Sequence, residues 1–243
     1  MTQGLSQRSS RHLNKIYRLF LLVSGLAVLL TLPAWGADKE KDEDTFKNAA
    51  AVLQDAVDSG KVPTDLLDKA KCVIILPNVK KFGFGVGGSG GRGPMSCRSG
   101  MHFEGKWSAP AMYTIGGASV GLQVGGTSTD FVLLVMNDKG VNAVLADKTK
   151  VGSDATAAAG PSGASSTSTS VGGVDMLTYA KAKGLFAGVS LDGATLHPDA
   201  DANKRLYGKT ISAKEILRDK AVSPPGGGGR ELVSLLDSKL PKR

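Results

Sequence analysis

Two short segments of this chain alternate glycine with larger residues, and this alternation restricts the folds that the chain can adopt. The segments are residues 82–87 (FGFGVG) and 118–125 (ASVGLQVG). A period of two residues is typical of a β-strand, whose successive side chains point to opposite faces. A strand face without side chains indicates that something approaches the backbone closely. Two uses fit, namely close packing in a coiled sheet or room for a lipid chain or partner. The glycines concerned are Gly83, Gly85, Gly87, Gly121 and Gly125.

The rest of the chain predicts further strands and several helices. Residues 72–76 (CVIIL) and 131–136 (FVLLVM) are apolar runs of strand length, the first ended by Pro77 and Asn78. Residues 185–191 and 194–196 flank Asp192-Gly193, a dipeptide typical of hairpin turns. Helical patterns cover residues 45–60, 63–70, 141–147, 198–208 and 212 onward. Together they predict an α+β domain in which helices from both ends flank a curled antiparallel, barrel-like sheet.

The N-terminus has the pattern of a cleavable signal peptide. Four basic residues and no acidic residue precede an apolar run over residues 19–32, and small residues occupy positions 34 and 36. The run has 14 residues, whereas a transmembrane helix needs about 20. We therefore expect residues 1–36 to be removed and the protein to be exported, to the periplasm or outside the cell, in soluble form or peripherally attached to a membrane.

Removal of residues 1–36 changes the charge of the chain from +8 to +4. This modest charge and the low aromatic content argue against a nucleic-acid partner. Residues 37–44 alternate in charge and are expected to be disordered. We expect the domain to cover residues 45–220, followed over residues 221–243 by a Pro/Gly linker and a short amphipathic helix.

The chain has two cysteines, Cys72 and Cys97. An even number of cysteines in an exported chain suggests a disulfide, and two buried thiols are the alternative. A metal site is not expected, because few other soft ligands are present.

Two sequence motifs suggest enzymatic activity, but neither has the expected context. G-x-S-x-G occurs around Ser89 and Ser119, and a nucleophile elbow requires a turn from a strand into a helix. Ser89 leads into Pro94, and Ser119 lies within a predicted strand. G-x-G-x-x-G recurs in the glycine-rich stretch without a following helix. We expect no catalytic residues and no cofactor, with a serine hydrolase as a minor alternative.

Basic residues next to the glycine-rich segments point instead to an anionic partner. These residues are Lys80, Lys81, Arg92, Lys181 and Lys183. Each well-placed cation contributes about 1 kcal/mol to binding at an anionic membrane. Solvated surface lysines with no partner are the alternative interpretation.

Eight stretches of the sequence, taken in their order along the chain, resemble the SYLF domain, a lipid-binding family. The similar stretches are residues 70–77 (AKCVIILP), 84–93, 107–111 (WSAPA), 116–125, 129–138 (TDFVLLVMND), 151–161, 184–193 (GLFAGVSLDG) and 199–208. The resemblance implies one α+β domain that binds phospholipid and has no established catalysis. Eukaryotic members use a basic N-terminal helix on the membrane, whereas residues 37–60 here carry a net charge of −4. We therefore expect an exported, non-catalytic domain that binds anionic phospholipid or a membrane surface. The alternative is an envelope interaction protein without a lipid ligand.

Overall fold

The structure is a computed structural model. It describes residues 34–84, 86–100, 103–120, 125–161, 173–182, 184–191, 193–218 and 222–240. The chain divides into two units, residues 1–40 and 41–243. Of the first unit only residues 34–40 are described, and they are helical. The predicted signal peptide therefore lies almost entirely outside the described residues.

Six helices are present in the described part of the chain: α1 (Ala34–Asp58), α2 (Thr64–Lys69), α3 (Asp138–Val144), α4 (Ala200–Tyr207), α5 (Ala213–Leu217) and α6 (Gly226–Lys239). The sequence predicted several of their ends. Ser212 and Glu215 form a capping box at the start of α5, in which each residue binds the other's backbone amide. Gly208 ends α4 with φ of 69°, a left-handed conformation that glycine adopts at low cost.

Nine strands form one sheet: β1 (Cys72–Phe84), β2 (Val86–Cys97), β3 (Ala111–Val120), β4 (Gly125–Val135), β5 (Thr149–Lys150), β6 (Ala157–Ala159), β7 (Met176–Ala182), β8 (Leu185–Gly188) and β9 (Thr195–Pro198). The strand order is β5-β9-β3-β2-β1-β4-β7-β6, and β8 pairs with β7. All pairs are antiparallel except β6 with β7. The predicted α+β class is confirmed.

The connection from β8 to β9 shows that this sheet must be curled. Six inter-strand steps separate the two strands, which is about 29 Å in a flat sheet. The seven residue steps from Gly188 to Thr195 span at most about 25 Å. The predicted hairpin between residues 185–191 and 194–196 was therefore wrong, because the chain here joins two distant strands. Gly193 donates its amide to the Val151 carbonyl instead.

A bulge in β1 also differs from the sequence prediction. The strand was expected to end at Pro77 and Asn78, but it continues to Phe84. Asn78 takes a positive φ of 54°, and its amide is satisfied by the Asp130 carboxylate at 2.9 Å. The register of β1 against both neighbours shifts at this point. A bulge of this kind bends the strand and increases its local twist.

The sheet packs closely against itself beside this bulge. A Cβ atom added at Gly93 would lie 1.9 Å from the Ile75 carbonyl oxygen, and one at Gly91 would lie 2.7 Å from Val79 Cγ2. Only glycine permits β2 to pass β1 at these distances. Neither residue belongs to the alternating glycines on which the sequence prediction was based.

The two faces of the sheet bury separate hydrophobic cores. One face, with Ile74, Leu133 and Tyr113, packs against α3 and α5. The opposite face, with Val73, Ile75 and Leu134, packs against α1, α2 and α6. Cys72 and Cys97 lie directly opposite each other on β1 and β2 and form a disulfide, as predicted.

Both ends of the domain are more ordered than the sequence suggested. Residues 37–44, expected to be disordered, are part of α1, and Asp42 is fully buried. The glycines expected to form a linker begin α6. A Cβ atom at Gly228 would lie 2.5 Å from the Glu43 carbonyl oxygen, so glycine allows α6 to approach α1 closely. This packing offsets the cost of glycine in a helix, about 1 kcal/mol per residue relative to alanine.

Candidate functional site

In the outer halves of the four longest strands, most residues with described side chains lie outside the hydrophobic core clusters. We call this region the distal sheet; it comprises residues 79–84, 86–91, 116–120 and 125–129. Of its described side chains only Val79 belongs to a core cluster, and Lys80, Thr127 and Ser128 are exposed. Around these three exposed residues the sheet is therefore accessible to a ligand, whereas helices cover it further along.

One row of residues crosses the distal sheet on a single face. Directly paired residues of antiparallel strands project to the same side, so strand register defines the row. It consists of Lys150 on β5, Thr195 on β9, Gly116 on β3, Gly90 on β2, Lys80 on β1 and Ser128 on β4. We call it the cross-strand row. Cβ atoms added at Gly90 and Gly116 would meet only a neighbouring carbonyl oxygen, at 3.9 and 3.8 Å. Gly90 and Gly116 thus leave an open strip of backbone at the centre of the row, which we call the glycine floor. Lys80 lies on one side of it, and Lys150 lies beyond Thr195 on the other.

The predicted glycines are partly brought together by the same register. Gly83 pairs with Gly87 on one side and with Gly125 on the other, so three glycines adjoin across three strands. Lys81 pairs with Ser89 and Thr127 one row closer to the core, on the same face as these glycines. Gly85 and Gly121 lie outside the described residues.

Arg92 is engaged within the protein. Its guanidinium lies 2.7 Å from the Asp42 carboxylate, which also receives two hydrogen bonds from Arg205 at 2.9 and 3.3 Å. Asp42 is fully buried, and burial of a carboxylate is tolerated only when it is paired in this way. Sequence reasoning missed Asp42, although it precedes the buried Phe46 by one helical turn.

Lys181 is also paired with a carboxylate. It donates a hydrogen bond to Asp55 of α1, and this bond raises the pKa of the lysine. Lys183 lies outside the described residues. Of the five predicted basic residues, Lys80 and Lys81 are therefore the two that lie on the distal sheet, where they are consecutive in β1 and project to opposite faces.

The candidate nucleophiles lie within strands. Ser89 is in the middle of β2, where its hydroxyl donates to the Gly117 carbonyl at 3.5 Å. Ser119 is in β3, near the end of that strand. Neither serine occupies the sharp strand-to-helix turn that exposes the nucleophile in α/β-hydrolases.

The part of the chain that the structure describes contains no cluster of three or more His, Cys, Asp or Glu side chains that could hold a metal ion. None of the described helices is both long and apolar enough to span a membrane.

These features define an α+β domain with a curled antiparallel sheet and an open, lysine-flanked backbone surface. Residues 116–239 match the family model described as "Ysc84: Las17-binding protein actin regulator". The chain belongs to this family, which confirms the resemblance to the SYLF domain.

Several curated relatives are similar over most of this chain. SH3 domain-containing protein PJ696.02 of Schizosaccharomyces pombe is 36% identical over 207 residues, covering 80% of this chain and 46% of the relative. Protein YSC84 of Saccharomyces cerevisiae is 34% identical over 205 residues, covering 79% and 42%. Human SH3 domain-containing YSC84-like protein 1 is 33% identical over 180 residues, covering 73% and 51%. The chain thus spans about half the length of these relatives.

Proposed function

We propose that this protein is an exported, non-catalytic domain that binds anionic phospholipid at a membrane surface through the distal sheet. The observation that carries the proposal is the cross-strand row, where Lys80 stands beside an open glycine floor. Without side chains on Gly90 and Gly116, a headgroup can reach the sheet while its phosphate contacts lysine.

The charges of the distal sheet favour an anionic partner. Lys80 and Lys150 lie on the same face of the sheet, at positions of the row that are four inter-strand steps or about 19 Å apart. Lys81 follows Lys80 in β1 and projects to the opposite face. At about 1 kcal/mol per cation near an anionic surface, Lys80 and Lys150, with a smaller contribution from Lys81, support weak, reversible binding. Arg92 and Lys181 contribute less, because Asp42 and Asp55 already neutralise them.

Export is supported by two features of the chain. The first 36 residues have the charge and hydropathy pattern of a signal peptide. The Cys72–Cys97 disulfide is of a kind that persists in oxidising compartments. Expression of the full chain, followed by fractionation and determination of the N-terminus, tests this part. A protein that starts at Ala37 outside the cytoplasm is expected, and an intact N-terminus in the cytoplasm contradicts it.

A protein-interaction module without a lipid ligand is the second candidate. It is favoured by the descriptions of the family and its relatives, which name binding to Las17 and actin regulation. The same exposed sheet would then contact a protein surface.

Co-sedimentation with vesicles distinguishes the two candidates. Protein purified from the soluble fraction, with its N-terminus determined, is mixed with anionic or zwitterionic vesicles at low and high salt. We expect binding to anionic vesicles that weakens as salt rises, because the Debye length shortens from about 10 Å at 0.1 M to about 3 Å at 1 M. Absence of binding to anionic vesicles at low salt supports the protein-interaction module instead.

A further inference from the structure

A groove lies beside the cross-strand row, next to its β5 and β9 end. It has a volume of about 520 Å³ and is lined by Gly116, Gly117, Asp147, Lys148, Thr195 and His197. Gly116 and Thr195 are paired neighbours in the row, and His197 lies two residues beyond Thr195 on the same face. Asp147 and Lys148 come from the connection between α3 and β5. The groove therefore opens on the sheet face that carries Lys80.

The polar side chains of this groove have no partners within the described protein. Asp147, Lys148 and His197 are exposed, and Thr195 is half-buried. None of these four side chains forms a hydrogen bond or ion pair with another residue among those that the structure describes. Thr149 and Asp154, which follow within seven residues of Asp147, are in contrast both engaged. The groove is thus lined by four polar side chains without such a partner, among them one acidic and one basic residue.

The groove floor leaves space for a ligand. A Cβ atom at Gly116 would have the Ser89 carbonyl oxygen at 3.8 Å as its nearest neighbour. One at Gly117 would have Ser89 Oγ at 3.4 Å and Ala194 Cα at 3.5 Å. A ligand can therefore approach the backbone at Gly116, while Gly117 packs in ordinary contact on the other face.

We propose that this groove binds the headgroup of an aminophospholipid, meaning a phosphodiester that carries a primary ammonium group. Lys148, His197 and Thr195 supply donors for the phosphate, and Asp147 accepts from the ammonium. A charge-assisted hydrogen bond is about twice as strong as a neutral one. A ligand that carries both the phosphate and the ammonium group therefore binds more tightly than a ligand with only one of them. This inference rests on the proposed membrane function, and it adds selectivity that charge attraction through Lys80 and Lys81 does not provide.

Soluble headgroup fragments test the site. Calorimetric titration of the purified protein compares phosphoethanolamine with glycerol 3-phosphate, which lacks the ammonium, and with ethanolamine, which lacks the phosphate. We expect phosphoethanolamine to bind at least tenfold more tightly than either fragment, since one hydrogen bond to a charged group accounts for that factor. Equal affinity for phosphoethanolamine and glycerol 3-phosphate would show a plain anion site and overturn the proposal, as would no binding of phosphoethanolamine.

Single-residue variants test which groove residue binds the phosphate of the ligand and which binds its ammonium group. Lys148→Met is expected to weaken both phosphate-containing fragments at least tenfold, whereas Asp147→Asn removes only the preference for phosphoethanolamine. Lys61→Met, which changes an exposed lysine in a loop away from the groove, serves as the control and leaves both affinities unchanged. Similar effects of Lys148→Met and Lys61→Met would contradict the assignment. Urea unfolding curves verify that the variants are folded.

Binding to vesicles tests this inference separately from the proposed function. It also distinguishes a lipid headgroup from a free phosphate ester as the ligand of the groove. Phosphatidylcholine vesicles with and without phosphatidylethanolamine have the same net charge, so charge attraction is equal for both. We expect tighter binding when phosphatidylethanolamine is present, because its primary ammonium can donate to Asp147. If anionic vesicles bind but phosphatidylethanolamine has no effect, the inference fails and the membrane function stands. If phosphoethanolamine binds but no vesicle does, the membrane function fails and the ligand is a free phosphate ester.

Discussion

Asp42 of α1 and Arg92 of β2 form an ion pair with 2.7 Å between the carboxylate and the guanidinium, and Asp42 is completely buried. Arg205 of α4 contacts the same carboxylate. One acidic residue thus joins the N-terminal helix to the sheet and to a helix 163 positions away. The arginine that the sequence suggested as a lipid contact therefore also stabilises the fold.

Replacing Asp42 should destabilise the protein. Asp42→Asn removes the charge but keeps the shape, and we expect the free energy of unfolding to fall by about 2–4 kcal/mol, because the two arginines lose charge-assisted bonds. Asp44→Asn is the matched control on the same helix, since Asp44 forms a solvent-exposed pair with Lys47 and such pairs contribute little to stability. Urea unfolding measures both. Equal effects of the two changes would contradict the structural role of Asp42.

The strand pairing shows how far the sequence could predict the fold. The period-two segments and apolar runs identify β1 to β4, and the capping box marks α5. Local patterns cannot show that residues 188–195 cross between distant strands, because this depends on the curl of the whole sheet. Asn78 and the glycines of α6 mislead for the same reason, since tertiary contacts with Asp130 and Glu43 override their local preferences.

The candidate site was predictable in part. Lys80 and Lys81 adjoin a glycine-rich strand in the sequence, and the structure keeps them beside it. The partners of Arg92 and Lys181 could not be inferred, because Asp42 and Asp55 lie far from them in the chain. The groove with Lys148 and His197 carries no local sequence signal either, since β9 brings these residues together only in the folded sheet.

Adjacent glycines in α6 should respond oppositely to alanine. Gly228→Ala places a Cβ atom 2.5 Å from the Glu43 carbonyl oxygen, so we expect a loss of about 1–3 kcal/mol from overpacking. Gly227→Ala has no atom within 4 Å and should stabilise the helix by up to about 1 kcal/mol. Thermal unfolding of both variants tests the contact between α6 and α1. Stabilisation by both substitutions would mean that this contact is absent.

Asp175 should make the stability depend on acid pH. It is buried, and despite that desolvation, hydrogen bonds from Lys139, Thr156 and Asn137 lower its pKa from 3.8 to about 2. Because the folded pKa is below the unfolded one, its contribution of about 2 kcal/mol is present above about pH 4 and is lost as pH falls towards 2. Urea unfolding between pH 6 and 2 should show the gap between wild type and Asp175→Asn shrinking over this range. A gap that stays constant would be inconsistent with the lowered pKa.

Reduction of the disulfide should lower the stability. Cys72 and Cys97 are 25 positions apart, and closing such a loop contributes about 3.5 kcal/mol in the chain-entropy model. We expect a corresponding loss when denaturant unfolding is measured with and without reductant. A double alanine variant at both positions should be unaffected by reductant, which controls for other effects of the reagent. Equal stability of the oxidised and reduced wild type would show that the bond does not constrain the chain.

The most direct test of the membrane function is a charge reversal on the distal sheet. Lys80→Glu combined with Lys81→Glu is compared with Lys61→Glu combined with Lys106→Glu, which changes the net charge equally at exposed loop positions away from this sheet. Co-sedimentation with anionic vesicles at low salt is the measurement. We predict that the first pair weakens binding at least tenfold, since about 1 kcal/mol is lost with Lys80 and the two introduced glutamates add repulsion, while the control pair changes it less than threefold. Equal loss of binding in both double variants would contradict a membrane site on the distal sheet.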